Sequence, residues 1–297
     1  MQNTIYNPHQ NLSKYQVLFD RVIFCDNFNE PIYAILNVLI QKNIIVFGKS
    51  FNQDLELLPI NVEKIFLGKH FQKSLTNVPS NVKSICFAND SLFNGYLDYL
   101  HDELEELVLG DEYCVEITKL PEKINILVLG SKYNIKINTL GTFINLRYLD
   151  IGDSYLSSLD NLPQSLQTLI IGGCFNNWIR FPDNLKHFII KQNSVYNRDF
   201  DNLPQGLTFL SIQNDYNQTI TKLPNSLVCI YFGDNYNLNI KEFPQNLQKI
   251  TFSDKFALSI EKIPQLPKSM EVIEISKKNK YLEVLTQAFP NIKINLI

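Results

Sequence analysis

The side chains that could do chemistry are few and scattered. There are four histidines, His9, His70, His101 and His187, and five cysteines, Cys25, Cys86, Cys114, Cys174 and Cys229. Nucleophilic catalysis needs a nucleophile beside a base, and zinc needs closely spaced thiolates or imidazoles. No CxxC pair, HExxH, GxSxG or phosphate-binding loop is present, so no residue is assigned a catalytic, cofactor-binding or metal role. An odd number of distant cysteines predicts free thiols in a reducing compartment. A row of acids does recur, as Asp111, Asp153, Asp234 and Asp254 with Asn89 and Asn214 at equivalent places. Such a row could ligate calcium, but the glycine-rich nonapeptide of calcium-binding rolls is absent, and Lys49, Lys69 and Gly173 interrupt it. Asp and Asn also suit turns, because their side chains bond to nearby backbone. A carbohydrate-active β-helix would need paired carboxylates on one strand face of neighbouring coils, and Asp150 stands there alone.

Composition narrows the classes further. Hydrophobic residues are 45% of the 297, charged residues 19%, and the formal charge is −3. That balance provides no field for nucleic acid or anionic lipid, and no apolar run reaches the roughly 18 residues of a membrane span. The start, MQNTIYNPHQNLSK, lacks the basic and apolar regions of a secretory leader. The expected location is the cytoplasm.

The elements that position these residues repeat. Proline recurs at 59, 79, 121, 163, 182, 204, 224, 244 and 264, and the segments 99–110 and 139–152 fill the gaps in register. An aromatic-Asn pair precedes most of these prolines by seven residues: Phe51-Asn52, Tyr196-Asn197, Tyr216-Asn217 and Tyr236-Asn237, with Phe175-Asn176 six before its own. Degenerate copies are Phe71-Gln72, Tyr113-Cys114 and Phe256-Ala257. A fixed period of this length marks a solenoid, in which stacking supplies the core that no unit has alone. Within each unit, L-x-x-L-x-L-G alternates like a short strand, and identical strands one coil apart must pair in parallel. The Leu-Pro in the middle of each return disfavours helix, so extended backs are expected.

The phrase aromatic-Asn, then Ile or Leu, then Leu-Pro and L-x-x-L-x-L-G resembles the FNIP repeat. It is clearest at Tyr216-Asn217-Gln218-Thr219-Ile220-Thr221-Lys222-Leu223-Pro224. FNIP repeats are relatives of the leucine-rich repeat found in social amoebae and in giant viruses of amoebae. The resemblance implies protein interaction without shared catalytic residues, in host cytoplasm if the chain is viral. Some relatives carry an F-box-like segment ahead of the repeats, which implies a ubiquitin-ligase substrate receptor. Here only about 15 to 20 residues precede the first unit, fewer than that module needs.

The fold expected is therefore mainly β: a curved, parallel-stranded, leucine-rich-repeat-like solenoid of about 12 units of 20 to 22 residues. Residues 1–20 are expected to cap its start, 21–276 to form the repeats, and 277–297 to close it with a helix at Tyr281, Leu282, Leu285 and Ala288 and a strand at Ile292, Ile294 and Leu296. The Asn column reads as a buried ladder that satisfies backbone groups, with the preceding aromatic as a core ring.

If the L-x-L residues point inward, the exposed middle column runs Ile23, Val46, Phe66, Cys86, Val108, Val128, Asp150, Ile170, Ile189, Ser211, Tyr231, Thr251 and Glu274. A solvated strand face should be polar, whereas the first two thirds of this column are apolar. Either close parallel strands favour β-branched residues, or a partner covers the face. Aromatic residues with charge at their edge fit a binding surface, and the candidate contacts are Tyr148, Asp150, His187, Lys191, Phe209, Gln213 and Tyr231. The function expected is a non-catalytic scaffold that binds a protein partner, of unknown identity, on its strand face. A ligase subunit without its own F-box and a self-assembling structural protein remain alternatives.

Overall fold

Most of the recurring prolines set a turn, and in the coil of Pro264 it is Pro267 that does so. The computed structural model describes residues 14–213, 215–216, 218–233, 236, 240–253 and 263–297. Within them the proline carbonyl accepts the N–H three residues on, as in Val62 to Pro59, Val82 to Pro79 and Leu166 to Pro163, at 3.0 to 3.1 Å. A second turn joins the strand end to the aromatic residue, with Phe51 N–H on Gly48 and Tyr113 N–H on Gly110. Strand and turns together close one coil, and the aliphatic residue after each proline turn drops into the core.

The chain divides into two units, residues 1–151 and 152–297. In the first, β1 (Tyr15–Val17) runs antiparallel to β2 (Arg21–Phe24). From β2 the strands are parallel through β3 (Ile44–Val46), β4 (Lys64–Leu67), β5 (Ser84–Phe87), β6 (Glu106–Val108), β7 (Ile126–Val128) and β8 (Tyr148–Asp150). In the second unit the parallel strands are β9 (Thr168–Ile171), β10 (His187–Ile190), β11 (Phe209–Ile212), β12 (Cys229–Phe232), β13 (Lys249–Phe252), β14 (Val272–Ile275) and β15 (Lys293–Leu296). Counted over the described residues, the solenoid has about 13 turns, one more than the repeats alone suggested. Helix α2 (Leu282–Ala288) precedes β15, and of its residues Leu285 is buried.

Register is pinned residue for residue: Ile65 pairs with Ile85, Leu107 with Leu127, and Phe188 with Leu210. These second-position residues are buried, so the L-x-L side chains do point inward. Beneath them the aromatic column of the first unit forms a row, Phe28, Phe51, Phe71, Phe93, Tyr113 and Tyr133, with successive ring centroids 6.1 to 6.2 Å apart. That spacing allows offset contact between rings. Two of the tyrosines that take the place of phenylalanine reach the preceding coil: Tyr113 donates to the Gly95 carbonyl at 3.2 Å and Tyr216 to the Arg198 carbonyl at 3.0 Å. Burial pushes both phenols well above their ordinary pKa.

The Asn column does satisfy backbone, but at a partly open corner. Asn29 Oδ1 accepts the Asn52 N–H, Asn52 the Gln72 N–H, Asn94 the Cys114 N–H and Asn176 the Asn197 N–H, at 2.8 to 2.9 Å. These side chains are half-buried or exposed; the aromatic beside each is the buried member of the pair. Asn217 and Asn237 lie outside the described residues, as do Asn214, Asp234, Asp254 and the Phe256-Ala257 copy. A second ladder, just after the proline, carries equal weight. Asn81 Nδ2 donates to the Pro59 and Val62 carbonyls, and Asn61 Nδ2 to those of Leu39 and Lys42. Ser226 and Ser269 place a hydroxyl in the same role. The signal P-x-[NS]-[LVM] is visible in the sequence, at 59–62, 79–82, 182–185 and 267–270.

Among the described residues, two returns ahead of the closing helix depart from the extended pattern. Residues 32–39 form a 3₁₀ turn running into the short helix α1 (Leu36–Leu39), and 140–142 form another 3₁₀ turn. Neither has a proline inside the return: Pro31 stands at the start of the first, where its missing N–H is harmless, and Gly141 replaces proline in the second. His101 also replaces proline, yet its coil keeps the common geometry, with Leu104 N–H on the His101 carbonyl at 3.2 Å. Both of its ring nitrogens are buried without a hydrogen-bond partner. Burial, helped by the Lys83 charge, holds this imidazole below its ordinary pKa.

Two stability outcomes follow from these contacts. Asn81→Ala, which takes the side-chain donor from the Val62 carbonyl and leaves the Pro59 carbonyl only its turn bond, should lower stability by about 1 to 2 kcal/mol in urea unfolding, whereas the exposed Asn77→Ala should stay within about 0.5 kcal/mol. The unfolded chain protonates His101 before the folded chain does, so this residue's contribution is present above about pH 6.5 and is lost as pH falls below it. His101→Pro should raise stability by about 1 kcal/mol or more and flatten the fall in melting temperature between roughly pH 7 and 5. An unchanged acid limb would assign that fall to other groups.

Candidate functional site

The strand face is built from two outward columns on each coil, the first and third strand positions. Because the strands are in register, each column is a row of equivalent side chains about 4.8 Å apart, and neighbours shield one another. In the first unit the third-position column runs Ile23, Val46, Phe66, Cys86, Val108, Val128 and Asp150. Its first two members are buried, and Phe66, Val108 and Val128 are half-buried. Asp150, at the end of the row, is itself buried, at 9% exposure. Tyr148, two residues earlier on the same strand, is half-buried; burial, with the Asp150 charge beside it, pushes its phenol up to about 12.

The most chemically loaded group on this unit lies on β4 to β6, and the register of the repeat places Lys64 and Glu106 in one outward column. Lys64 Nζ meets Glu106 Oε2 at 2.7 Å across two rungs, and Ser84 Oγ, on the strand between, donates to the same oxygen. Lys64 also lies over the Phe66 ring at 5.1 Å. Cys86 sits beside them, its thiol pushed up to about 11 by burial and by the Glu106 charge. It therefore remains protonated near neutral pH and is a poor nucleophile. The Glu106 carboxylate, already committed to Lys64 and Ser84, acts as a structural clasp.

In the second unit the structure brings several predicted contacts together. His187 and Phe209 are register partners on β10 and β11, and their rings meet edge to face at 6.1 Å. His187 Nδ1 lies 3.0 Å from Thr168 Oγ1 on the strand before, and partial burial lowers its pKa. Tyr231, half-buried, pairs in register with Ser211, which is buried, and Gln213 Nε2 donates to Ser211 Oγ at 3.1 Å. Lys191 stands apart at the corner after β10, turned toward Asp153 at 3.8 Å. Farther along, Lys249 and Thr251 both engage Glu274, at 2.7 and 3.0 Å.

The Asp row serves the corners. Asp111 Oδ1 accepts the Ser131 N–H, Asp26 Oδ1 that of Lys49, and Asp153 Oδ2 takes a hydrogen bond from Asn193. Among the described residues no three His, Cys, Asp or Glu side chains converge as metal ligands, and no helix is long and apolar enough to cross a membrane. An open depression of about 460 Å³ lies on the back of the first unit, lined by Asp102, Thr118, Pro121, Glu122, Thr142 and Phe143.

No protein-family model matches the chain, and no curated protein matches it significantly. Among solved structures it is similar to CroV588, described as a circular leucine-rich-repeat protein, with a TM-score of 0.52 and 23% identity over 88% of this chain and 54% of that one. It is also similar to YopM from Yersinia enterocolitica, with a TM-score of 0.54 and 16% identity over 88% of this chain and 62% of that one. The chain thus spans less than two thirds of the length of either. Likeness at these identities concerns the fold, and it establishes a parallel-stranded solenoid of leucine-rich-repeat type.

Proposed function

We propose that the chain is a FNIP-type repeat scaffold without catalytic activity, which holds a protein partner against the outward face of its strands. The observation that supports this reading is the ring group on β10 to β12. His187 and Phe209 meet edge to face, and Tyr231 follows on the next strand, all on the outward side of a rigid ladder. Water-facing strand positions are ordinarily polar. Aromatic side chains on a fixed backbone lose little entropy when covered and are the usual anchors of protein interfaces. Lys191 and Gln213 supply a polar edge to this group, and Tyr148 and Asp150 hold the corresponding columns of the first unit. The free cysteines fit a reducing compartment such as the cytoplasm.

The test is affinity capture from the source cells with wild type beside a Phe209→Ala, Tyr231→Ala double variant, both checked for equal thermal unfolding. A partner bound by wild type should be held at least about 30-fold more weakly by the double variant. Equal binding by the folded double variant would remove the strand face from the proposal.

A further inference from the structure

Independently of the strand face, the outer surface of the first two coils carries apolar side chains that no other described residue covers. Tyr33, Leu36 and Ile40 follow helical spacing along the 3₁₀ turn and α1, and all three face solvent. Ile40 and Ile60 are equivalent positions on successive coils, since Asn61 and Asn81 bond to matching carbonyls on either side of them. Their exposures are 58% and 86%. Leu57 lies three residues before Ile60, also exposed. Phe19, at 98% exposure, stands at the turn between β1 and β2, whose carbonyls at Leu18 and Phe19 are held by Lys42 Nζ at 2.8 and 3.0 Å. The row continues as Ser80, Asp102 and Glu122 on later coils, so the apolar character is confined to this end of the unit.

Size and charge both bear on what covers this surface. Taking roughly 200 Å² for a full aromatic side chain and about 150 Å² for an aliphatic one, these six residues offer about 700 Å². A monomer rarely exposes more than a few hundred Å² in one patch, and each side of a standard interface contributes about 800 Å². Nearby charges are spent within the chain: Lys14 pairs with Glu30 at 2.6 Å, Arg21 with Asp20 at 2.9 Å, and Lys49 with Asp26 at 2.9 Å. Asp54 and Glu56 stand at the rim, where water reaches them. Lys42, its Nζ on the Leu18 and Phe19 carbonyls, is a cation within the patch, so with the acids at the rim the surface carries both signs and a copy of itself can set opposite charges against each other.

We propose that this surface is the contact between two copies of the chain, arranged about a twofold axis with Ile40 and Ile60 near its centre. Sedimentation velocity from about 1 to 100 µM should show wild type in reversible monomer–dimer exchange. Ile60→Glu should weaken the dimer at least about 30-fold. Ile144→Glu, which changes an equally apolar but distant side chain of the same unit at 65% exposure, should leave it unchanged. Both substitutions are at solvent-facing positions, and unfolding curves confirm that the variants remain folded. A wild type that stays monomeric throughout, or an Ile60→Glu variant that dimerises as wild type does, overturns the proposal; so does equal weakening by Ile144→Glu.

Discussion

The constraint on which the structure depends is that each coil must lie directly on the one before it. The tightest place is the corner after the strand, where Gly48, Gly68 and Gly130 pass the preceding coil so closely that a Cβ would stand 2.2, 2.3 and 1.9 Å from its carbonyl oxygen. Real side chains do not approach backbone at such distances, so glycine at the corner permits the rung spacing that the strands require. Once that spacing is set, equivalent positions stack by necessity. Rings fall on rings at 6.1 to 6.2 Å, and side-chain amides fall on the backbone of the next turn.

Stacking also governs charge. Charges in one column face each other about 4.8 Å apart, and in several columns opposite signs alternate. Lys83, Glu103 and Lys123 follow one another on successive coils, with Glu103 bonded to both lysines at 2.8 to 2.9 Å. The two lysines hold its carboxyl down to about 2. Lys132 pairs with Glu112 one coil earlier. These pairs are exposed and add modestly to stability, but they make a slipped register unfavourable. The Lys64, Ser84 and Glu106 clasp applies the same logic on the strand face.

Where the repeat is imperfect, the departures have local causes. The returns at 32–39 and 140–142 curl because neither holds a proline in its interior. His101 shows the complementary case, since stacking against regular neighbours holds a histidine in a turn otherwise made by proline and leaves its nitrogens buried. The outward columns depart in another sense: inward positions repeat the same aliphatic residues, while outward ones change from coil to coil, from Val128 to Asp150 or from Ser211 to Tyr231. Packing constrains the first set tightly and the second loosely, which leaves the outward set available for recognition.

The sequence by itself determined the period, the strand positions, the inward and outward alternation and the aromatic row, because each is a local pattern copied many times. Parallel pairing and the facing of Phe209 by His187 also follow from it, since register is implied once coils of 20 to 22 residues are superimposed. Only the tertiary structure decided how deeply each outward residue lies. Asp150 and Ser211 are buried while Tyr231 and His187 reach out, a result of the size of the neighbours one rung away. It likewise placed the half-buried Asn ladder at an open corner, showed the second ladder after the proline, and brought Ile40 beside Ile60 at the surface. Burial and contact are properties of the stack, set by residues about 20 positions away, and no single coil carries them.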